Sequence, residues 1–135
     1  MTQYLISFGD DAMDHIAEED MPAVAKAARA VCQDAIDAGV FVLAGGLEAP
    51  ASSVAAGGTV TGGPKLGSIG GVMVIDVSSR PEALNWAARV AEPCRCAQQV
   101  QEIIFDPELN AILRENERRR FSVASGSTGS SHRAA

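Results

Sequence analysis

Val72-Met73-Val74-Ile75-Asp76-Val77, followed by Ser79-Arg80-Pro81-Glu82, is the stretch that decides the fold. Its first six residues are rich in β-branched side chains and follow Gly70-Gly71, which predicts a strand. In Val72-Met73-Val74-Ile75 both alternating sets are apolar, so both faces of this strand need cover. Ser79 then opens a helix. Ser79 and Glu82 have the spacing of a capping box, and Pro81 is tolerated in the first turn because its missing N–H has no helical partner there. Ala83, Leu84, Ala87, Ala88 and Ala91 predict the buried face of this helix, with Asn85, Arg89 and Glu92 on the wet face and Pro93 at its end.

Working outward toward the N-terminus, Tyr4 to Phe8 predicts a short strand that Gly9-Asp10-Asp11 ends. Ala12 to Glu19 is acidic and predicts a loop or a single helical turn. Asp20 to Ala38 predicts a helix, with Met21, Val24, Ala28, Val31, Cys32, Ala35 and Ile36 on one face and Lys26, Arg29, Gln33 and Asp37 opposite. Asp20 is its expected cap and Gly39 its stop. Val40 to Leu47 predicts a second strand. Residues 49–71 are rich in Gly and Ser and predict a short hairpin around Gly57-Gly58.

Toward the C-terminus, Gln98 to Phe105 predicts a last strand, and Asp106-Pro107 a helix start. Leu109, Ile112 and Leu113 form a narrow apolar stripe on a helix expected to end near Arg120. Residues 122–135 bury too little to offset their ordering entropy and predict a disordered tail. The chain therefore reads as one domain over residues 1–121. Its β-α-β-(β)-β-α-β order predicts an α+β, ferredoxin-like fold with a C-terminal helix. Two helices would cover one sheet face, and face-to-face dimerisation would cover the other.

Composition fits this reading. The chain has 135 residues, of which 47% are hydrophobic but only 4% aromatic, so small aliphatic side chains must build the core. No apolar run approaches the roughly 18 residues of a membrane span, and no basic region precedes a hydrophobic N-terminal stretch, so a cytoplasmic protein is expected. The net charge is −6, with nine acids against two bases in residues 1–50. An acidic body argues against nucleic acid, whose phosphates need a basic surface. Arg118-Arg119-Arg120 reads as a helix C-terminus complementing its own dipole, or as a contact for an acidic partner. Three cysteines, Cys32, Cys94 and Cys96, are an odd number for a disulfide framework, and Cys94-Arg95-Cys96 is spaced too closely for a thioredoxin-type pair. Arg95 could lower a neighbouring thiol's pKa; the plainer account is two small residues at a helix–strand junction.

Several pieces follow one another in a familiar order. They are Tyr4-Leu5-Ile6 with Phe8-Gly9-Asp10, Ala38-Gly39-Val40 with Gly46-Leu47, Thr61-Gly62-Gly63-Pro64, Gly70-Gly71-Val72-Met73-Val74-Ile75, and Glu82-Ala83-Leu84-Asn85-Trp86-Ala87-Ala88. Over about residues 3–106 the chain resembles the YCII-related proteins, in particular the branch named for an Asp-Gly-Pro-Phe (DGPF) motif. The resemblance implies a dimeric α+β barrel of ferredoxin-like subunits. Some members of that family are small-molecule enzymes, including a dehydrochlorinase of a chlorinated hydroxyquinol, and a His–Asp pair in a cleft is the family's proposed acid–base device. Here the position of the first-helix His falls on Ala28, with Arg29 beside it. The motif's Asp falls on Gly62 and its Phe on Lys65. The pair is not carried over, so the chemistry has moved or is gone.

His15 is the only His in the domain, and Asp10, Asp11 and Asp14 lie near it in sequence. His15 with Asp14 is the expected acid–base pair, since His titrates near neutrality and carboxylates raise it; the alternative is a solvated His in an acidic loop. Arg29 and Lys65 are the expected binders of an anionic substrate or enolate-like intermediate. Gly62 to Ser68 shares glycines with a phosphate loop but has no Lys before Ser68 and no helix after it. Trp86 reads as packing. No metal or dinucleotide motif is present, so the expected chemistry is cofactor-free proton transfer of the lyase, isomerase or cyclase kind on a small anionic or aromatic molecule. The alternative is a non-catalytic ligand-binding or assembly protein of the same fold.

Overall fold

The computed structural model describes residues 1–62 and 68–126. In chain order the elements are β1 (Thr2–Gly9), a 3-10 turn (Glu18–Asp20), α1 (Met21–Asp37), β2 (Phe41–Gly46), β3 (Ser53–Val54), β4 (Val60–Thr61), β5 (Ile69–Val77), α2 (Arg80–Cys94), β6 (Gln99–Glu102) and α3 (Pro107–Gly126). The chain divides into two compact units, one ending at Ile103 and one beginning at Ile104. The first holds an α+β fold. Its four-stranded sheet has the order β2-β5-β1-β6, with every neighbouring pair antiparallel. The expected small hairpin is β3 with β4, Ser53 facing Thr61 and Val54 facing Val60. Gly58 turns it at a φ of 93°, a conformation open to glycine at no steric cost.

Alternation along the two central strands sorts the core. Tyr4 and Ile6 of β1 face Ile75 and Met73 of β5, and these pack with Val77, Ala35, Val40, Ala83, Trp86, Ala87, Val90 and Cys94. Ile6, Ile75 and Val77 are fully buried. Trp86 is buried among them, with Arg89 stacked 4.5 Å from its ring centre, so the packing role expected of it holds. The opposite set, Leu5, Ser7, Val72, Val74 and Asp76, forms the other sheet face. Ser7 and Val74 are buried there, but Gln3, Gln99 and Gln101 share that face through their register with Asp76, Ser7 and Leu5. The face is mixed rather than wholly apolar, because Asp76 of β5 and the polar side chains of β1 and β6 share it with Val72 and Val74.

The helices depart from expectation in instructive ways. Ser79 accepts from the Glu82 N–H at 3.3 Å as foreseen, while the Glu82 carboxylate takes the Ser78 hydroxyl. Asp20 does not cap α1; its backbone is already helical, and its carboxylate pairs with Arg95 at 3.5 Å. Leu84 and Ala88 lie exposed, and Trp86 and Val90 take the buried face of α2 instead. Pro93 sits inside the last turn rather than beyond it, and Arg95 ends the helix in the left-handed conformation. Gly39 follows α1 at a φ of 76°, as its stop requires. The last strand is shorter than expected, ending at Glu102.

In the second unit, the Asp106 carboxylate accepts from the N–H groups of Glu108 and Leu109 and caps α3. The helix runs past Arg120 to Gly126, so the Arg118-Arg119-Arg120 run lies within it and does not cap its C-terminus. Arg118 and Arg119 both pair with Glu115. The remainder of the expected tail, residues 127–135, lies outside the described residues.

Candidate active site

A cavity of about 440 Å³ lies between α1 and the helix-covered face of the sheet. That is within the range of small-ligand pockets. Its cause is the smallness of the side chains around it. Ala25 and Ala28 line it from α1, and Ala44, Gly45 and Gly46 from β2. On β5, Gly71 lies opposite Phe8 of β1; a Cβ on Gly71 would stand 2.5 Å from that ring. The glycine thus lets the Phe8 ring lie across the sheet as part of the cavity wall. Ile6, Met73, Val24 and Val90 complete the apolar lining, and Met13 and Met21 line it from the chain entering α1. Methionines suit such a place, since their side chains adapt to different shapes.

Four polar or weakly polar residues line it as well: Arg29, Cys32, Cys94 and Gln98. Arg29 is the single charged one. It is an exposed side chain, and among the described residues it has no ion-pair partner. Burial pushes the Cys32 thiol up from its ordinary pKa. Burial also raises Cys94, and the neighbouring Cys96 and Cys32 raise it further. Cys96 is raised by burial too, against a hydrogen bond from Gln98 that works the other way. Arg95 is not among the groups that shift either neighbouring thiol: burial raises both Cys94 and Cys96, and the Arg95 guanidinium pairs with Asp20. Among the described residues, no three His, Cys, Asp or Glu side chains converge as a metal site.

Of the residues singled out from sequence, the structure places Arg29 at this cavity. His15 and Asp14 are exposed, in a series of turns after β1 held by N–H to carbonyl bonds such as Asp14 to Asp11 and Ile16 to Met13. Neither lines the cavity, although Met13 of the same turns does. Lys65 lies outside the described residues. The contributions of Cys94 and Gln98 were not foreseen, because they reach the cavity from the end of α2 and the approach to β6. Cys32 carried a signal: it follows Ala28 by one helical turn, so the two share a face. No family model matches the chain, and no curated protein matches it significantly.

Proposed function

We propose that the chain binds a small, largely apolar acid in the cavity beneath α1, with Arg29 as the anchor for its anionic group. The observation that carries this reading is the cavity itself: apolar walls with one charged residue, a cation without an ion-pair partner among the described residues. A guanidinium presents a fork of N–H donors matched to a carboxylate, and an apolar body gains by leaving water. The volume suits a ligand of on the order of 10–15 non-hydrogen atoms, at roughly 30 Å³ for each water-sized unit. The subunit is read as ferredoxin-like and YCII-related, and as pairing with a second copy through its open sheet face. Leu5, Val72, Val74 and the exposed Leu43 supply the apolar part of that face. The protein is read as cytoplasmic; among the described residues no helix is long and apolar enough to cross a membrane.

The test is a thermal-shift and calorimetric screen of benzoate-sized and medium-chain carboxylates, each beside its uncharged amide. Acids should raise the melting temperature, as any ligand of the native state does. Arg29→Ala should weaken acid binding by about 10- to 100-fold, the usual range for a hydrogen bond to a charged group, and leave amide binding unchanged. Equal binding of acid and amide, or no loss in the variant, would remove Arg29 from the site.

Proton-transfer catalysis is the second reading, favoured by one observation: Met13, two residues before His15, lines the cavity. On that reading His15 with Asp14 acts at the cavity mouth. His15→Ala should then lower turnover of an identified substrate by about 10²–10⁴-fold. Unchanged turnover would pass the role to a carboxylate such as Asp14 or Asp10, or to Lys65; the absence of any turnover would leave binding alone as the function of the cavity.

A further inference from the structure

We propose that α3 is a pairing surface that binds α3 of a second copy in antiparallel orientation. Leu109, Ile112, Leu113 and Asn116 recur at steps of three and four residues and so share one stripe of the helix. The apolar members of that stripe are 48–64% exposed, and Ile104 and Phe105, just before the helix, are exposed as well. Charge selects the occupant. Asp106 and Glu108 stand at the start of the helix, and Arg118, Arg119 and Arg120 stand beyond its middle. A parallel pair would set one arginine run against the other. An antiparallel pair sets each run against the other copy's acids, and the two-fold axis makes every such contact twice.

The stripe also sets the register. With the crossing between Ile112 and Leu113, Ile112 meets the partner's Leu113 and Leu109 meets the partner's Asn116. Glu108 then flanks the partner's Arg119, and Phe105 comes near the partner's Arg120. The arginine run is prepared for this use. Glu115 holds Arg118 and Arg119 in place along the helix, while Arg120 has no ion-pair partner among the described residues. Because the helix continues to Gly126, the run does not act as a C-terminal cap, and an acidic partner gives it a role. The inference does not depend on the cavity or on the sheet face.

Sedimentation of the full chain at tens of micromolar tests it. Ile112→Glu with Leu113→Glu should halve the associated mass, whether the unaltered chain is a dimer or, with sheet pairing added, a tetramer. Arg119→Glu should weaken association by about tenfold, and adding Glu108→Arg should restore it, because complementary charges set register and partner. An unchanged mass in the double-Glu variant would overturn the proposal, as would that result accompanied by a lower melting temperature, which would show the stripe covering its own chain. Tighter association of Arg119→Glu would overturn the antiparallel orientation, and failure of the charge exchange to rescue would overturn the register.

Discussion

The two helices that cover the sheet are used differently. Five residues of α2 are buried: Ala83, Trp86, Ala87, Val90 and Cys94. α1 is two residues longer, yet only Val24 and Ala35 are buried on it. The difference is one of side-chain volume. α2 sets an indole and a valine into the core, whereas α1 offers alanines opposite Gly45, Gly46 and Gly71, and the space those residues leave is the cavity. A salt bridge from Arg89 to Asp34 ties the two helices together on the outside. α2 is mainly packed into the core and reaches the cavity only through Val90 and Cys94, whereas α1 supplies most of its helical wall. Close packing and open space cannot occupy the same volume, so the helix with the smaller buried side chains leaves the space.

The strongest way to break this contrast is on the α2 side. Trp86→Ala should cost about 3–5 kcal/mol in denaturant unfolding, the usual cost of deleting a buried aromatic ring. A loss below about 1 kcal/mol would mean that α2 is no better packed than α1. On the other side, Ala28→Leu should fill the cavity, reduce ligand binding by at least about tenfold, and change stability by less than about 1.5 kcal/mol, because it enters empty space rather than a packed core. A stability loss of several kcal/mol would show that α1 already packs closely. The helix starts give a finer comparison. Ser79→Ala removes a side-chain cap and should cost about 1 kcal/mol. Asp20→Ala removes only an exposed ion pair and should cost no more than about 0.5 kcal/mol.

The smallest effect is on the pH dependence. Burial raises the thiols of Cys32 and Cys94 above their ordinary value of 9.0. The folded state thus holds those protons more tightly than the unfolded chain does. Stability from this source is complete while the unfolded thiols stay protonated, below their ordinary value, and it is lost as the pH rises from there through the folded values. Cys94→Ala should flatten that alkaline decline in a series of unfolding curves. An unchanged slope would place the titrating group elsewhere.

Much of this architecture was legible before any coordinates. β5 and the start of α2 were readable because local signals agree there: a β-branched run, two preceding glycines, and a serine cap three residues before Glu82. The small hairpin and the Asp106 cap were readable for the same reason. Other features were decided by distant residues. Asp20 has the chemistry of a cap, but Arg95 competes for its carboxylate. Leu84 has the hydrophobicity of a core residue, but the direction from which α2 meets the sheet turns Trp86 and Val90 inward instead. Arg29 reads from sequence as part of a polar stripe, and only the standing-off of α1 makes it part of a cavity wall.

The sequence by itself determined the elements, their order and the side-chain alternation that makes one face of β1 and β5 a core, because these follow from short-range sterics and periodicity. Tertiary structure alone decided where empty space remains. A cavity is a property of volumes contributed by segments far apart in the chain: alanines from α1, glycines from β2 and β5, a cysteine from the end of α2. No local pattern records the volume they leave between them.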